Sequence, residues 1–123
     1  MTKNFKQEEY QCRCCDEMNI SPTIVLLNQL VRDRFNVPVT ITSGCRCKKH
    51  NKNVGGAEHS QHTPQDDGFC HASDIQVLGV EPIIVYNFLH KLFPNSLGLG
   101  IYDNWLHIDD RMSMAYRWDS RSK

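Results

Sequence analysis

The predicted fold is decided by residues 99–109, LGIYDNWLHID. Apolar runs on either side of Asp103-Asn104 indicate two strands joined by a turn, because short polar side chains favour turns. On the second strand, His107 and Asp109 are two residues apart and therefore point to the same face. This stretch predicts a pair of neighbouring strands that carries chemically active side chains.

Outward from this pair, the sequence predicts two helices and three more strands. Ser21-Pro22 indicates a helix start, with the Ser21 hydroxyl as cap and proline at the first helical position, and apolar spacing extends this helix over residues 22–35. Glu81-Pro82 opens a second helix, which Pro94 ends. The further strands are predicted at residues 39–42, 72–77 and 114–118. This order predicts an α+β fold, with a small, mostly antiparallel sheet flanked by helices.

Residues 43–69 form a long predicted loop, with one helical turn near residues 47–53. The segment contains five of the chain's glycines and prolines, together with several histidines and charged residues. Long ordered loops in compact domains are usually functional. We therefore expect part of the functional site here.

Composition limits the functional classes. The 123 residues fit one domain, 1–123, which begins with a polar, cysteine-rich entry segment at residues 1–20. Fourteen basic residues balance fourteen acidic ones, which argues against a nucleic-acid partner and against attachment to an anionic membrane. No apolar run approaches the roughly 20 residues of a membrane helix, and no signal peptide is recognisable. We expect a monomer that is cytoplasmic as made, unless another factor releases it.

Six cysteines occur at positions 12, 14, 15, 45, 47 and 70. Their C-x-C and C-C spacing departs from the C-x-x-C pairs of common zinc ribbons, and a reducing compartment disfavours disulfides. We expect free thiols. A second, structural zinc bound by these cysteines is the alternative.

The residues of chemical interest are His62, Asp74 and His107. A catalytic zinc ion takes three ligands from histidine, aspartate or glutamate and keeps one position for water. Asp74 and His107 lie on predicted strands, and His62 ends the glycine-rich loop. One histidine on a strand is more often a packed or surface side chain than a ligand, so each residue alone is a weak signal.

Motifs around these residues resemble the M15 zinc peptidases. The matching segments, in order, are SGCR at 43–46, HNKNVGGA at 50–57, SQH at 60–62, ASDI at 72–75, the strands of 99–109 and RW at 117–118. FKQEEYQCRC at 5–14 is similar to the entry segment of phage-type members. The resemblance covers nearly the whole chain.

This resemblance implies a fold like that of the D-Ala-D-Ala peptidases and the Hedgehog signalling domain. It also implies a zinc peptidase that hydrolyses a bond in bacterial peptidoglycan stem peptides, either as a D-Ala-D-Ala carboxypeptidase or as an L-Ala–D-Glu or crosslink endopeptidase. A phage-encoded lysis enzyme, released to the wall by a holin or carried by the phage, would fit. The alternatives are a non-catalytic Hedgehog-like zinc module that binds wall or protein, and a zinc module built on the cysteines.

By the same resemblance, His62, Asp74 and His107 hold Zn²⁺. Arg46 binds a substrate carboxylate or steadies the oxyanion, which its planar guanidinium suits. The resemblance also places Ser60 in the substrate cleft, and we expect Tyr102 to form part of the cleft wall.

Two features leave alternatives open. His62 and Asp74 are twelve residues apart, whereas the family usually has seven, so the extra loop that contains Asp66 and Asp67 either is a surface insertion or contacts metal or substrate. For the general base, the resemblance implies an acidic residue a few positions before the last histidine, which fits Asp103, and Asp109 is a second candidate on the same strand face as His107. Strand parity does not separate the two, because both differ from residue 107 by an even number.

Overall fold

The computed structural model describes residues 2–15, 19–57, 60–111 and 114–122. Within these ranges the chain forms a 3₁₀ turn at Gln7–Tyr10, three α-helices and five strands. The helices are α1 (Pro22–Phe35), α2 (Lys48–Asn53) and α3 (Pro82–Leu92). The strands are β1 (Val39–Ser43), β2 (Ala72–Val77), β3 (Gly98–Ile101), β4 (Leu106–Asp109) and β5 (Tyr116–Asp119). None of the helices described is long and apolar enough to cross a membrane.

Helix α1 has the predicted bounds. Pro22 occupies its first turn, and Asn36 ends it in the left-handed conformation, with φ 54°. The predicted cap is wrong, because the Ser21 hydroxyl makes no capping hydrogen bond. This hydroxyl donates instead to Asp110 Oδ2 at 2.6 Å, and a buried carboxylate is a strong acceptor.

The sheet has the strand order β1-β2-β4-β3-β5. β1 pairs with β2, β2 with β4 and β3 with β4 in antiparallel fashion, whereas β5 runs parallel to β3. The sheet is therefore mixed, and the prediction of a mostly antiparallel sheet is wrong in this respect. The reason is that β2 and β3 already flank β4. The chain reverses after β4 and adds β5 to the free edge of β3, in the direction of β3.

The two faces of the sheet have different roles. Alternate side chains of β2, β3 and β4 pack against α1 and α3 in one apolar core, with members such as Ile75, Leu99 and Ile108. Asn28 of α1 also donates to Ser73 on this face. The other residues of these strands, including Asp74 and His107, point to the opposite, open face, which borders a cavity.

Across that open face, four residues lie in register on neighbouring strands. Asp74 of β2 is opposite His107 of β4, His107 is opposite Gly100 of β3, and Gly100 is opposite Trp118 of β5. The predicted functional loop lies before β2 and contains α2, which confirms the predicted helical turn. The sheet thus brings residues that are spread over positions 74–118 of the sequence to one row.

Candidate metal centre

Three side chains converge on the open face of the sheet. His62 ends the glycine-rich loop, Asp74 lies on β2 and His107 on β4, and all three are buried. One ligand atom from each lies within 4.8 Å of the others. Asp74 Oδ1 is 3.2 Å from His62 Nε2 and 3.0 Å from His107 Nδ1. The structure therefore brings together the three residues predicted from the sequence.

Hydrogen bonds on the far side of each imidazole fix its orientation. His62 Nδ1 is 2.7 Å from the carbonyl oxygen of Gly44, which can only accept, so Nδ1 carries the proton and Nε2 presents its lone pair. His107 Nε2 donates to Asp109 Oδ2 at 3.0 Å, which leaves Nδ1 facing Asp74. Metal-binding histidines commonly make such a bond through their second nitrogen. Both imidazoles are thus oriented as metal ligands.

Asp109 is fully buried and acts as the acceptor for several donors. Arg111 Nε donates to its Oδ1 at 2.7 Å and Arg111 Nη2 to its Oδ2 at 2.8 Å. Gly98 N donates to Oδ1 at 3.1 Å. A Cβ atom at Gly98 would lie 2.2 Å from Asp109 Oδ2, so only glycine leaves room for this carboxylate. Asp109 is therefore held in place behind His107.

Trp118 of β5 also contacts His107, through its indole ring. The two ring centroids are 5.0 Å apart, and Trp118 Nε1 donates to Tyr102 Oη at 3.1 Å. A Cβ atom at Gly100 would lie 2.2 Å from Trp118 Cε2. The two glycines of β3 thus create the space in which Asp109 and Trp118 contact His107 from two directions.

The electrostatics of the centre favour an ionised Asp74. Burial of Asp74 opposes its ionisation, but His62 and His107 outweigh that effect and hold the pKa of the carboxyl below its ordinary value. Burial lowers the pKa of His107, while Asp109 and Asp74 raise it by more, so the net pKa shift is upward. Asp109 likewise has a lowered pKa, since His107 and Arg111 outweigh the effect of burial. The carboxylates are therefore available as metal ligand and as imidazole acceptor.

Arg46 lies at the edge of the centre. It donates through Nε to Ser43 Oγ at 3.0 Å, through Nη1 to Asn51 Oδ1 at 3.2 Å and through Nη2 to Asp74 Oδ2 at 3.3 Å. A guanidinium has five N–H donors, so these bonds leave two. Arg46 is thus fixed in position while keeping donors that could bind a ligand.

The centre opens into a cavity of about 790 Å³, within the range of ligand sites. Ser60 and Tyr102, the predicted cleft residues, both line this cavity. Ser60 Oγ accepts a hydrogen bond from His62 N at 3.1 Å. Tyr102 stacks on Trp105 with ring centroids 4.4 Å apart, which gives the cavity an aromatic wall.

The two candidate general bases do not line this cavity. Asp103 accepts hydrogen bonds from Ser122 N and Oγ at 2.8 and 2.7 Å and lines a different cavity, beside Arg121. Asp109 is buried behind His107. Among the described residues that line the metal-site cavity, Asp74 is the one carboxylate. A role for Asp103 or Asp109 in proton transfer stays a prediction.

The longer loop between His62 and Asp74 is ordered around His71. Its Nε2 is 2.7 Å from Asp67 Oδ2, and its Nδ1 is 2.7 Å from Asp110 Oδ1. Asp66 and Asp67 do not line the metal-site cavity. This arrangement favours the interpretation of the extra residues as a surface insertion.

Arg111 is a site residue that the sequence analysis missed. Its guanidinium reaches Asp109 with two nitrogens and lies 5.0 Å from the centroid of the Tyr116 ring. Arg111 lines the same cavity as Arg46. A usable signal was present: residues 107, 109 and 111 continue the alternation of the strand, which would place Arg111 on the face of His107.

The donor set fits zinc. Ligand atoms about 2.0–2.1 Å from a tetrahedral Zn²⁺ ion lie about 3.3 Å from one another, close to the 3.0 and 3.2 Å found here. Two imidazoles and one carboxylate beside an open cavity are typical of metal-dependent hydrolases.

The family is established by comparison with known proteins. The family model described as Peptidase M15 matches residues 3–109. The chain therefore belongs to the M15 peptidases, a family of metallopeptidases that typically depend on zinc. Neither a curated protein nor a solved structure gives a match.

Proposed function

We propose that this protein is a zinc peptidase that hydrolyses a peptide bond in bacterial peptidoglycan stem peptides. The observation that carries the proposal is the convergence of His62, Asp74 and His107 at the base of a cavity flanked by two arginines. Zinc at this position would polarise the scissile carbonyl and lower the pKa of a bound water. His62 Nε2, Asp74 Oδ1 and His107 Nδ1 would hold the ion.

The charges along the cavity support a substrate that carries carboxylates. Arg46 and Arg111 both line it, and each keeps N–H donors beyond those used in the protein contacts described above. Stem peptides offer a terminal D-alanine carboxylate and the α-carboxylate of D-glutamate. A guanidinium binds such groups through two parallel hydrogen bonds, which would orient the scissile bond toward the metal.

The other residues that line the cavity would shape the site and exclude water from it. The stacked Tyr102 and Trp105 offer an apolar wall for a methyl side chain such as that of alanine. Trp118 covers one edge of His107 and reduces the access of water to this ligand. Ser60 holds the backbone of His62 and contributes a hydroxyl to the cavity.

Digestion of purified peptidoglycan and of synthetic stem peptides tests the proposal, with products identified by mass spectrometry. We expect release of D-alanine or cleavage at L-Ala–D-Glu or a crosslink. The His62→Ala variant should lack this activity. His90→Ala is the matched control, because His90 lies on α3 and contacts Arg117 outside the cavity.

One observation favours a second candidate, a non-catalytic zinc module that binds wall or protein. Asp74 is the one carboxylate among the described residues that line the cavity, and it would be a zinc ligand, which leaves no other described carboxylate there to serve as general base. This candidate predicts stoichiometric zinc bound at His62 and His107 and no cleavage of any stem peptide. The same digestion, accompanied by metal analysis, separates the two.

A further inference from the structure

A second group of potential metal ligands lies outside the peptidase site. Cys12, Cys14 and Cys15 of the entry segment meet Cys47, which precedes α2, and their sulfur atoms all lie within 4.8 Å of one another. Cys12 and Cys47 are 35 positions apart in the sequence. Thiols are weak hydrogen-bonding partners, so hydrogen bonding alone gives little reason for four of them to meet from two separate segments.

The spacing of the sulfur atoms differs from that of a disulfide and is close to that of a metal-bound set. Cys14 Sγ and Cys47 Sγ are 3.1 Å apart, whereas a disulfide bond measures about 2.05 Å. None of the six cysteines is in a disulfide. Thiolates about 2.3 Å from a tetrahedral Zn²⁺ ion lie about 3.8 Å from one another, and the cluster is compact enough to reach this arrangement.

Backbone amides already point at two of the sulfurs. Cys47 is the N-cap of α2, and its Sγ accepts the N–H of His50 at 3.3 Å. Cys47 N in turn donates to Cys12 Sγ at 3.3 Å. Such N–H···S bonds stabilise thiolate charge around a metal, as outer contacts do for other ligands.

We propose that Cys12, Cys14, Cys15 and Cys47 bind a structural Zn²⁺ ion through four thiolates, separate from the ion of the peptidase site. A closed set of four thiolates leaves no position for water, so this ion would stabilise structure and take no part in catalysis. Soft sulfur ligands in a tetrahedral set select zinc over the hard cations calcium and magnesium.

The position of this site gives it a structural purpose. It would fasten the entry segment to the chain just before α2, where Cys45 N also donates to Tyr10 O at 2.8 Å. The same short segment supplies the Gly44 carbonyl that orients His62, and it carries Arg46. A zinc ion at the cysteines would thus hold in place the segment that orients one ligand of the peptidase site.

Metal analysis of the whole chain, purified under reducing conditions with zinc, tests the proposal. We expect two equivalents of zinc in the wild-type protein. X-ray absorption should show a sulfur shell at about 2.3 Å beside a nitrogen and oxygen shell at about 2.0–2.1 Å. His62→Ala should keep one equivalent with a sulfur shell alone. The double variant Cys14→Ser/Cys15→Ser should keep one equivalent with nitrogen and oxygen alone.

The substituted cysteines are both exposed, which limits damage to the core. Cys70→Ala is the control for removal of a cysteine outside the cluster, and because Cys70 is buried its result is read as metal content per folded protein. This control should keep both equivalents. One equivalent without a sulfur shell in the wild-type protein would overturn the proposal, as would iron in place of zinc or a Cys14–Cys47 disulfide found by mass spectrometry. The sulfur shell is measured without any peptidase assay. A protein that shows the sulfur shell but cleaves no stem peptide would therefore refute the proposed function and leave the structural zinc site supported.

Discussion

Replacing Asp109 by asparagine tests whether this residue positions His107 or takes part in the chemistry. The substitution keeps the size of the side chain but replaces one carboxylate oxygen by an NH₂ group, which cannot accept a hydrogen bond. If Oδ2 is replaced, the His107 imidazole and Arg111 Nη2 lose their acceptor. If Oδ1 is replaced, Arg111 Nε and Gly98 N lose theirs.

The magnitude follows from these contacts. In either case one buried donor and the partly exposed Arg111 guanidinium lose an acceptor, so we expect the free energy of unfolding to fall by about 2 kcal/mol. His107 also loses the bond that fixes its ring. Loss of such an outer contact typically weakens metal binding about 10–100-fold, which corresponds to about 1.4–2.8 kcal/mol.

Zinc affinity is measured by competition with a chromogenic chelator, and the relevant site is the one that His62→Ala lacks. Asp103→Asn is the control and should leave the affinity unchanged, because Asp103 is exposed and bonded to Ser122. Unchanged zinc affinity in Asp109→Asn together with lost peptide cleavage would refute the positioning role. Lost cleavage in Asp103→Asn at full zinc content would instead establish Asp103 as the general base.

Three other outcomes are expected. Gly100→Ala places a methyl group 2.2 Å from Trp118, so the free energy of unfolding should fall by about 1–3 kcal/mol in a urea titration. An unchanged midpoint of that titration would contradict the packing described. Although burial lowers the pKa of His71, Asp67 and Asp110 outweigh it and raise that pKa above its unfolded value. The stabilisation from His71 is therefore complete below about pH 6.5 and is lost as the pH rises through the folded pKa. Unfolding free energies of the wild type and His71→Gln should differ most near pH 5.5, by about 1 kcal/mol or less, and a gap independent of pH would refute this. Removal of metal by a chelator should abolish peptide cleavage and added zinc should restore it, whereas activity that survives demetallation would exclude a metallopeptidase.

Local elements were predictable because their signals are local. Pro22 sets the start of α1, and the apolar spacing that follows sets its length, so both bounds of α1 are confirmed. Glu81-Pro82 does the same for α3, which begins at Pro82. The turn at 103–104 is also confirmed, with Tyr102 N donating to Trp105 O at 3.0 Å.

Strand partners were not predictable in the same way. The sequence predicts the last strand over residues 114–118, which the structure has at Tyr116–Asp119. It does not show which edge this strand joins, since that depends on which strands are already paired. Ser21 likewise has the residue type of a helix cap. Its hydroxyl bonds to Asp110, which is 89 positions away and thus invisible to a local pattern.

For the candidate site too, some residues were predictable from the sequence and others only from the structure. The resemblance to the M15 peptidases brought out His62, Asp74 and His107, and the fold places them together, while their role as zinc ligands stays a prediction. The pairing of Asp109 with Arg111 and the need for glycine at position 98 depend on cross-strand register. Register is a property of the assembled sheet, so these features appeared only in the structure.

The row of residues that crosses β2, β4, β3 and β5 has a consequence for the order of folding. Asp74 and His107 are 33 positions apart, and pairings of such high sequence separation form slowly because loop closure precedes any gain from contact. The unfolded chain therefore presents no assembled peptidase site. Binding of the zinc ion by Asp74 and His107 should therefore follow the pairing of β2 with β4. Zinc bound at His107 would then report a late step of folding, after the sheet has formed.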